Sequence, residues 1–312
     1  MSEFFINPDG SRASDDFESA TGFRCGYAIA KVGDLRGIIN LRFQWVCPPT
    51  FKHIGGFISP TLAYAQRSDG PYIFIAPDGA RIGTLDFDRI SFLGSDGVFA
   101  VRRGGLWGFL DESLRQVTPF MYKEVEYFSC GRCWVAEESR HCFIDNSGRF
   151  VELAWPAHSR FYRFGMQWRR GRPNVFAYFN LDGQRAFDRE FTLAYDFHDG
   201  GFAMVNGGDY DKKTVIDRSG RTILKNVENA GDPGGGLISV QLRKTWGFAD
   251  ITGRLLIEPR FSEVKWFGGH GLCPVALKGR WGYLSSDGDF KIKPQFDYAQ
   301  PFSDDVALVT AN

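Results

Sequence analysis

Cysteine and histidine come closest together at Cys130-x-x-Cys133, with His141 and Cys142 eight and nine residues further on. Thiolates and an imidazole at such spacings are the ligand types of a tetrahedral zinc site. A second concentration of reactive types lies just beyond. Arg160, Phe161, Tyr162, Arg163, Phe164, Trp168, Arg169, Arg170 and Arg172 interleave guanidinium groups with aromatic rings. That mixture could grip an acidic protein surface or stack on nucleobases. Other catalytic constellations are thin. The five histidines are His53, His141, His158, His198 and His270. His198 stands near Asp196 and Asp199, but none of the five neighbours a serine in a nucleophile-elbow context. Gly234-Gly235-Gly236 lacks the lysine and following helix of a phosphate loop. Asp-Gly turns recur, without the twelve-residue ligand spacing of a calcium loop.

The elements that must carry these residues are strands. Of 312 residues 16% are aromatic, with 37 glycines, a composition suited to short strands and tight turns. Lys+Arg and Asp+Glu both number 37, so no global field draws in nucleic acid or an anionic membrane. MSEFFINPDGSRASDD has no basic segment followed by an apolar run, and no stretch approaches the ~20 apolar residues of a membrane span. A cytoplasmic location is expected. The six cysteines are too sparse for a secreted disulfide scaffold.

Internal repetition is the strongest signal. An aromatic-Gly strand recurs at Trp107-Gly108-Phe109, Trp246-Gly247-Phe248 and Trp281-Gly282-Tyr283. Downstream of it an aromatic is followed three residues later by a small or branched apolar residue, as in Tyr122/Val125, Phe261/Val264 and Phe296/Ala299. A short apolar strand then closes the unit, as at 133–136, 273–277 and 306–309. The leading residue of the second landmark falls at positions 17, 51, 87, 122, 158, 191, 227, 261 and 296. The gaps of 34, 36, 35, 36, 33, 36, 34 and 35 residues define about nine units. Between the first two strands sits a glycine (Gly10, Gly79, Gly148, Gly183, Gly220, Gly253, Gly288), the residue that supplies positive φ in a tight hairpin. Pro49, Pro119, Pro259 and Pro294 lie early in the second strand.

The pattern resembles the WG-repeat (KWG-repeat) family, bacterial in the main, whose units carry Trp-Gly in the first strand and a Pro-x-aromatic element after the hairpin. The match is close from Leu106, Thr245 and Arg280, and poor in the first unit and where His141 and Lys213 replace the tryptophan. The resemblance implies a non-catalytic interaction array and not a defined activity; no cofactor is expected.

The expected fold is therefore all-β. One domain, 1–312, is a tandem array of about nine three-stranded units of roughly 35 residues, at approximately 1–34, 35–70, 71–105, 106–140, 141–173, 174–211, 212–244, 245–279 and 280–312. An open β-solenoid or superhelix is the first choice of closure and a closed β-propeller the alternative. Alignment of the units puts Cys133 in a buried strand slot and His141-Cys142 in the Trp-Gly slot, which favours packing over metal ligation. The expected function is protein binding without catalysis, by an immunity protein that blocks a toxin or effector domain, with Arg160, Arg163, Trp168, Arg169, Arg170 and Arg172 as contact residues. The alternatives are a small-ligand or glycan-binding array and a propeller-type enzyme.

Overall fold

A computed structural model describes residues 2–67, 70–91, 97–151, 165–170, 175–206 and 212–311. These residues form small antiparallel sheets in succession along the chain. Among them no helix is long and apolar enough to cross a membrane. The eighth sheet shows the plan. Its strands, a to d in chain order and in spatial order, are Glu263–Val264, Leu272–Leu277, Arg280–Ser285 and Phe290–Phe296. Four-stranded sheets of the same order span 19–51, 53–87, 89–122, 124–151, 193–227 and 229–261. The fifth pairs Met166–Arg170 with Phe176–Asn180, and isolated bridges join Phe176 to Phe191 and Phe179 to Arg185.

Four strands replace the expected three because the Phe/Val landmark is a boundary. Phe261 ends strand d of the seventh sheet opposite Trp246, and Glu263, two residues on, opens strand a of the eighth opposite Ala276. One extended segment thus bends at Ser262 and serves two sheets. The ninth sheet is completed from the other end of the chain. Tyr298–Ala299 and Ala307–Ala311 pair with each other, and Ser2–Ile6 adds as strand c, with Phe4 opposite Val309. Bridges Glu3–Phe17 and Ile6–Arg12 then supply the position of strand d.

The core lies between consecutive sheets. Phe248, Ile257 and Phe261 of the seventh pack on Cys273, Val275 and Leu284 of the eighth. Tyr283, Ile292 and Phe296 of the eighth pack on Ala307, Val309 and Ile6 of the ninth. Phe5 and Leu308 of the ninth pack on Ala28, Ala30 and Ile39 of the first. The same pattern of large side chains facing small ones therefore runs from the last sheet into the first. Each large apolar side chain so buried contributes about 1.5–3 kcal/mol. No single unit has both halves of such a seam, which is why neighbours must stack.

A further aromatic, six residues after the leading one, anchors the a–b connection in six sheets: Phe23, Phe57, Phe128, Phe197 and Phe302 are buried and Phe267 packs against the core, while Pro233 takes the position in the seventh sheet. This periodicity was legible in the sequence alongside the landmarks already described.

The tryptophan-glycine motif also has a mechanical basis. Trp246 faces Phe261 and Phe248 faces Ile257, so Glu258, Pro259 and Arg260 all stand against the single Gly247. The arched strand leans onto the glycine, whose missing side chain makes the room. The same two-residue excess occurs opposite Gly37, Gly108 and Gly282, in the sheets that hold Pro49, Pro119 and Pro294. Opposite Thr214, where no such proline occurs, the excess is one residue, with Lys213 facing Val227 and Val215 facing Leu224.

Candidate functional site

Each of the chemically suggestive residues can now be placed. Cys133 is buried in strand b of the fourth sheet, and its thiol donates to the Glu126 carbonyl at 3.0 Å. Burial pushes its pKa up, and likewise that of Cys142. Burial also pushes Cys273, in the same slot of the eighth sheet, up to about 12. Such thiols are poor nucleophiles at neutral pH. Cys130 lies in the a–b turn with φ of 55°, and its sulfur accepts a hydrogen bond from the Gly165 amide at 3.0 Å. His141 lies against Trp134, ring centroids 5.8 Å apart. Among the described residues no three or more of His, Cys, Asp and Glu gather as metal ligands do.

The Asp and Asn of the c–d turns are committed to the backbone. The side-chain oxygen of Asn40, Asp111, Asp145, Asn180, Asp217 and Asp250 accepts from the amides two and four residues on. This local bonding fixes the hairpin and explains why Asp or Asn recurs there. In Asp145 and Asp250 a hydroxyl adds a third bond, from Ser147 at 2.6 Å and Thr252 at 2.5 Å. These hydroxyl bonds are the main reason both carboxyls sit below their usual range; partial desolvation opposes them and the backbone amides assist. A carboxyl with a depressed folded pKa gives stability that is complete above its unfolded pKa and is lost as pH falls through the folded value. The urea midpoint is therefore expected to hold from pH 7 to about 5 and to fall below about 4, near the unfolded Asp pKa. Asp145→Asn with Asp250→Asn keeps the acceptors, as Asn40 and Asn180 do, and flattens that acid limb. An unchanged limb contradicts this role.

Of the arginine-aromatic cluster, Arg160, Arg163 and Arg172 lie outside the described residues. Trp168, Arg169 and Arg170 close strand b of the fifth sheet. Trp168 is half-buried, its indole N–H donating to Asp196 Oδ1 at 3.0 Å and its ring set edge-on to Phe176. Arg169 is 6% exposed, with its guanidinium 4.6 Å from the Phe179 ring centroid and its Nε donating to Gln167 Oε1 at 2.8 Å. Arg170 is exposed. The structure thus brings Trp168 and Arg169 into the interior and leaves Arg170 on the surface.

Register shows how unusual this is. Gln167 and Arg169 occupy the slots that hold Ala28/Ala30, Ala63/Ala65, Phe99/Val101, Cys133/Val135, Ala203/Val205, Ile238/Val240, Cys273/Val275 and Ala307/Val309 in the other sheets, every one buried. Alternation alone predicts an outward arginine. The strand instead faces a neighbouring sheet on both sides, so alternation does not separate inside from outside here.

The other polar positions are set by the strand ends. Because the sheets are antiparallel, the described b–c hairpins lie at the end of their sheets opposite the a–b and c–d turns. At the b–c end of the first three sheets stand Arg36, Lys52, Arg67, Arg89, Arg102 and Arg103. Landmark matching did not single these out, since they fall between the aligned core positions.

The family model for the WG-containing repeat matches residues 107–139, 246–281 and 281–312, which take in the Trp-Gly strands of the third, seventh and eighth sheets. No curated protein sequence matches the chain. Among solved structures, a eukaryotic initiation factor is similar at 8% identity over 93% of this chain and 94% of that one, with a TM-score of 0.56. BamB from Moraxella catarrhalis is similar at 11% identity over 99% and 98% of the two chains, with a TM-score of 0.39. Hsv2p of Kluyveromyces lactis is similar at 14% identity over 74% and 91%, also with a TM-score of 0.39. The first of these is a likeness of fold.

Proposed function

We propose that this chain, which carries WG-containing repeats, closes into a nine-sheet ring of the propeller kind and acts as a non-catalytic, cytoplasmic protein-binding scaffold. What supports closure over the open superhelix is the pairing of Ser2–Ile6 with Ala307–Ala311, together with a ninth-to-first seam built like the rest. What supports binding over catalysis is the fate of the recurrent polar groups. The turn carboxylates cap backbone amides, Cys47, Cys133 and Cys273 are buried, and charged side chains that differ between units, such as Arg67 and Arg103, sit on hairpin ends. A rigid scaffold with variable ends is an arrangement suited to recognising one partner.

The partner is expected to be another protein, in the immunity reading a toxin or effector domain. The test is affinity capture of the tagged full-length chain from its host, followed by reconstitution with the purified candidate. A one-to-one complex that survives gel filtration supports the scaffold. Toxicity of that partner alone, relieved by co-expression, supports immunity. If no purified candidate reassociates, the scaffold reading fails, and binding to a glycan array would establish the alternative.

A further inference from the structure

We infer that the partner presents an acidic protein segment, which docks along a row of arginines at the b–c end of the first three sheets; this rests on the protein-binding reading. The row follows from register. Arg36 lies opposite Phe51 and its guanidinium donates to the Lys52 carbonyl. The Arg67 guanidinium lies over the Phe51 ring, 5.2 Å from its centroid. In the next sheet Arg89 lies directly opposite Arg102, with Arg103 adjoining in the hairpin. Lys52, Arg67, Arg89 and Arg103 are exposed, and Arg36 and Arg102 partly so.

Like charges directly across a strand pair are destabilising, so the Arg89–Arg102 pair is a cost that the fold alone does not explain. Acids close by do not neutralise it. Neighbouring cations do find carboxylates: Lys31 pairs with Glu18 at 2.8 Å and Arg81 with Asp86 at 2.8 Å. Among the described residues Arg36, Arg67, Arg89, Arg102 and Arg103 make no ion pair. Asp34, Asp88 and Glu18 are acids described at the same end, Glu18 being engaged by Lys31 and the Gly33 amide, and Asp69 of the second hairpin lies outside the described residues. The row therefore keeps a positive excess within a chain of zero net charge. His53 adds none: burial, and then the Arg36 charge, hold it below its usual range.

Protein fits this row better than nucleic acid. The rings beside it already contact one another, with Tyr72 stacked on Phe87 at 5.9 Å and set edge-on to His53 at 5.5 Å, contacts that a stacking base would have to displace. Arginine forks recognise carboxylates in pairs, and their stems cover apolar surface in an interface.

The probe is a fluorescein-labelled octaglutamate peptide, titrated with the full-length chain by anisotropy at 50 and 200 mM salt. The comparators are an octalysine peptide and a single-stranded oligonucleotide. Octaglutamate is expected to bind the wild type, more weakly at the higher salt, and octalysine not to bind. Arg89→Glu with Arg102→Glu exchanges one like-charge pair for another at the same exposed strand ends, so it is expected to fold as the wild type does, and to weaken octaglutamate at least tenfold. Arg243→Glu with Lys244→Glu, at the seventh sheet's hairpin, is expected to change it less than twofold. Absence of binding, equal loss in both double variants, or tighter binding of the oligonucleotide overturns the assignment. If a captured partner binds Arg89→Glu/Arg102→Glu as well as it binds wild type, the docking row is wrong while the scaffold stands.

Discussion

Alanine at Gly282 or Gly247 will destabilise the protein far more than a single methyl group suggests. A Cβ at Gly282 would stand 2.6 Å from the Ile292 carbonyl oxygen and 2.6 Å from the Pro294 nitrogen, both backbone atoms of the arched strand d. At Gly247 it would meet the Ile257 carbonyl oxygen and the Pro259 nitrogen in the same way. Neither glycine needs positive φ, so the requirement is for space alone. Backbone that is tied into the next sheet cannot give way cheaply. The cost should reach the upper part of the roughly 1–3 kcal/mol typical of overpacking. Gly108→Ala should cost less, because its nearest neighbours stand at 3.0 and 3.1 Å. Gly56→Ala is the control: nothing lies within 4 Å of its Cβ position, and a change within about 0.5 kcal/mol is expected, as for ordinary surface sites. Urea denaturation of the four variants checks the order. Equal effects at Gly282 and Gly56 would remove the steric account of the motif.

Removal of Ser2–Ile6 should be at least as damaging, although it deletes only the beginning of the chain. Phe5 is fully buried, with Phe17, Phe23 and Phe43 around it at ring-centroid distances of 5.8, 5.0 and 5.4 Å. Its strand completes the ninth sheet and covers one face of the first. Phe5→Ala alone should cost about 3–5 kcal/mol, the usual range for truncating a buried phenylalanine. Deleting the strand leaves the edge of Ala307–Ala311 unpaired and two sheet faces open to water. Hydrogen exchange should then quicken at Ala307–Ala311 and at Tyr27–Val32, and far less at Arg132–Ala136 on the fourth sheet. Uniform loss of protection along the chain, or none at all, would mean that the two ends do not hold one another.

Much of this fold was legible in the residues. The even spacing of Phe17, Phe51 and their counterparts gave the number of units, and the Asp-Gly turns gave the hairpins. The place where one sheet hands over to the next was not legible. Phe261 and Val264 look like one continuous strand, and only pairing partners reveal that they belong to different sheets. The pairing of the first strand with the last was hidden for a related reason. Ser2–Ile6 lacks the Trp-Gly pair, and its role as strand c of the last sheet depends on residues some 300 positions away. The candidate surface was read least well. Arg169 looks like a surface residue in any single-strand pattern, while Arg89 and Arg102 lie 13 residues apart and meet only through strand pairing.

The proposed function rests on ring closure, and small-angle X-ray scattering of the protein tests that closure most directly. A compact ring of 312 residues should have a radius of gyration of about 20 Å, the value for a globular chain of this length. Nine sheets stacked openly at about 10 Å spacing would extend roughly 90 Å, with a radius of gyration above about 25 Å. The account predicts the compact value, rising when Ser2–Ile6 is deleted. An extended wild-type particle, unchanged by that deletion, would contradict it.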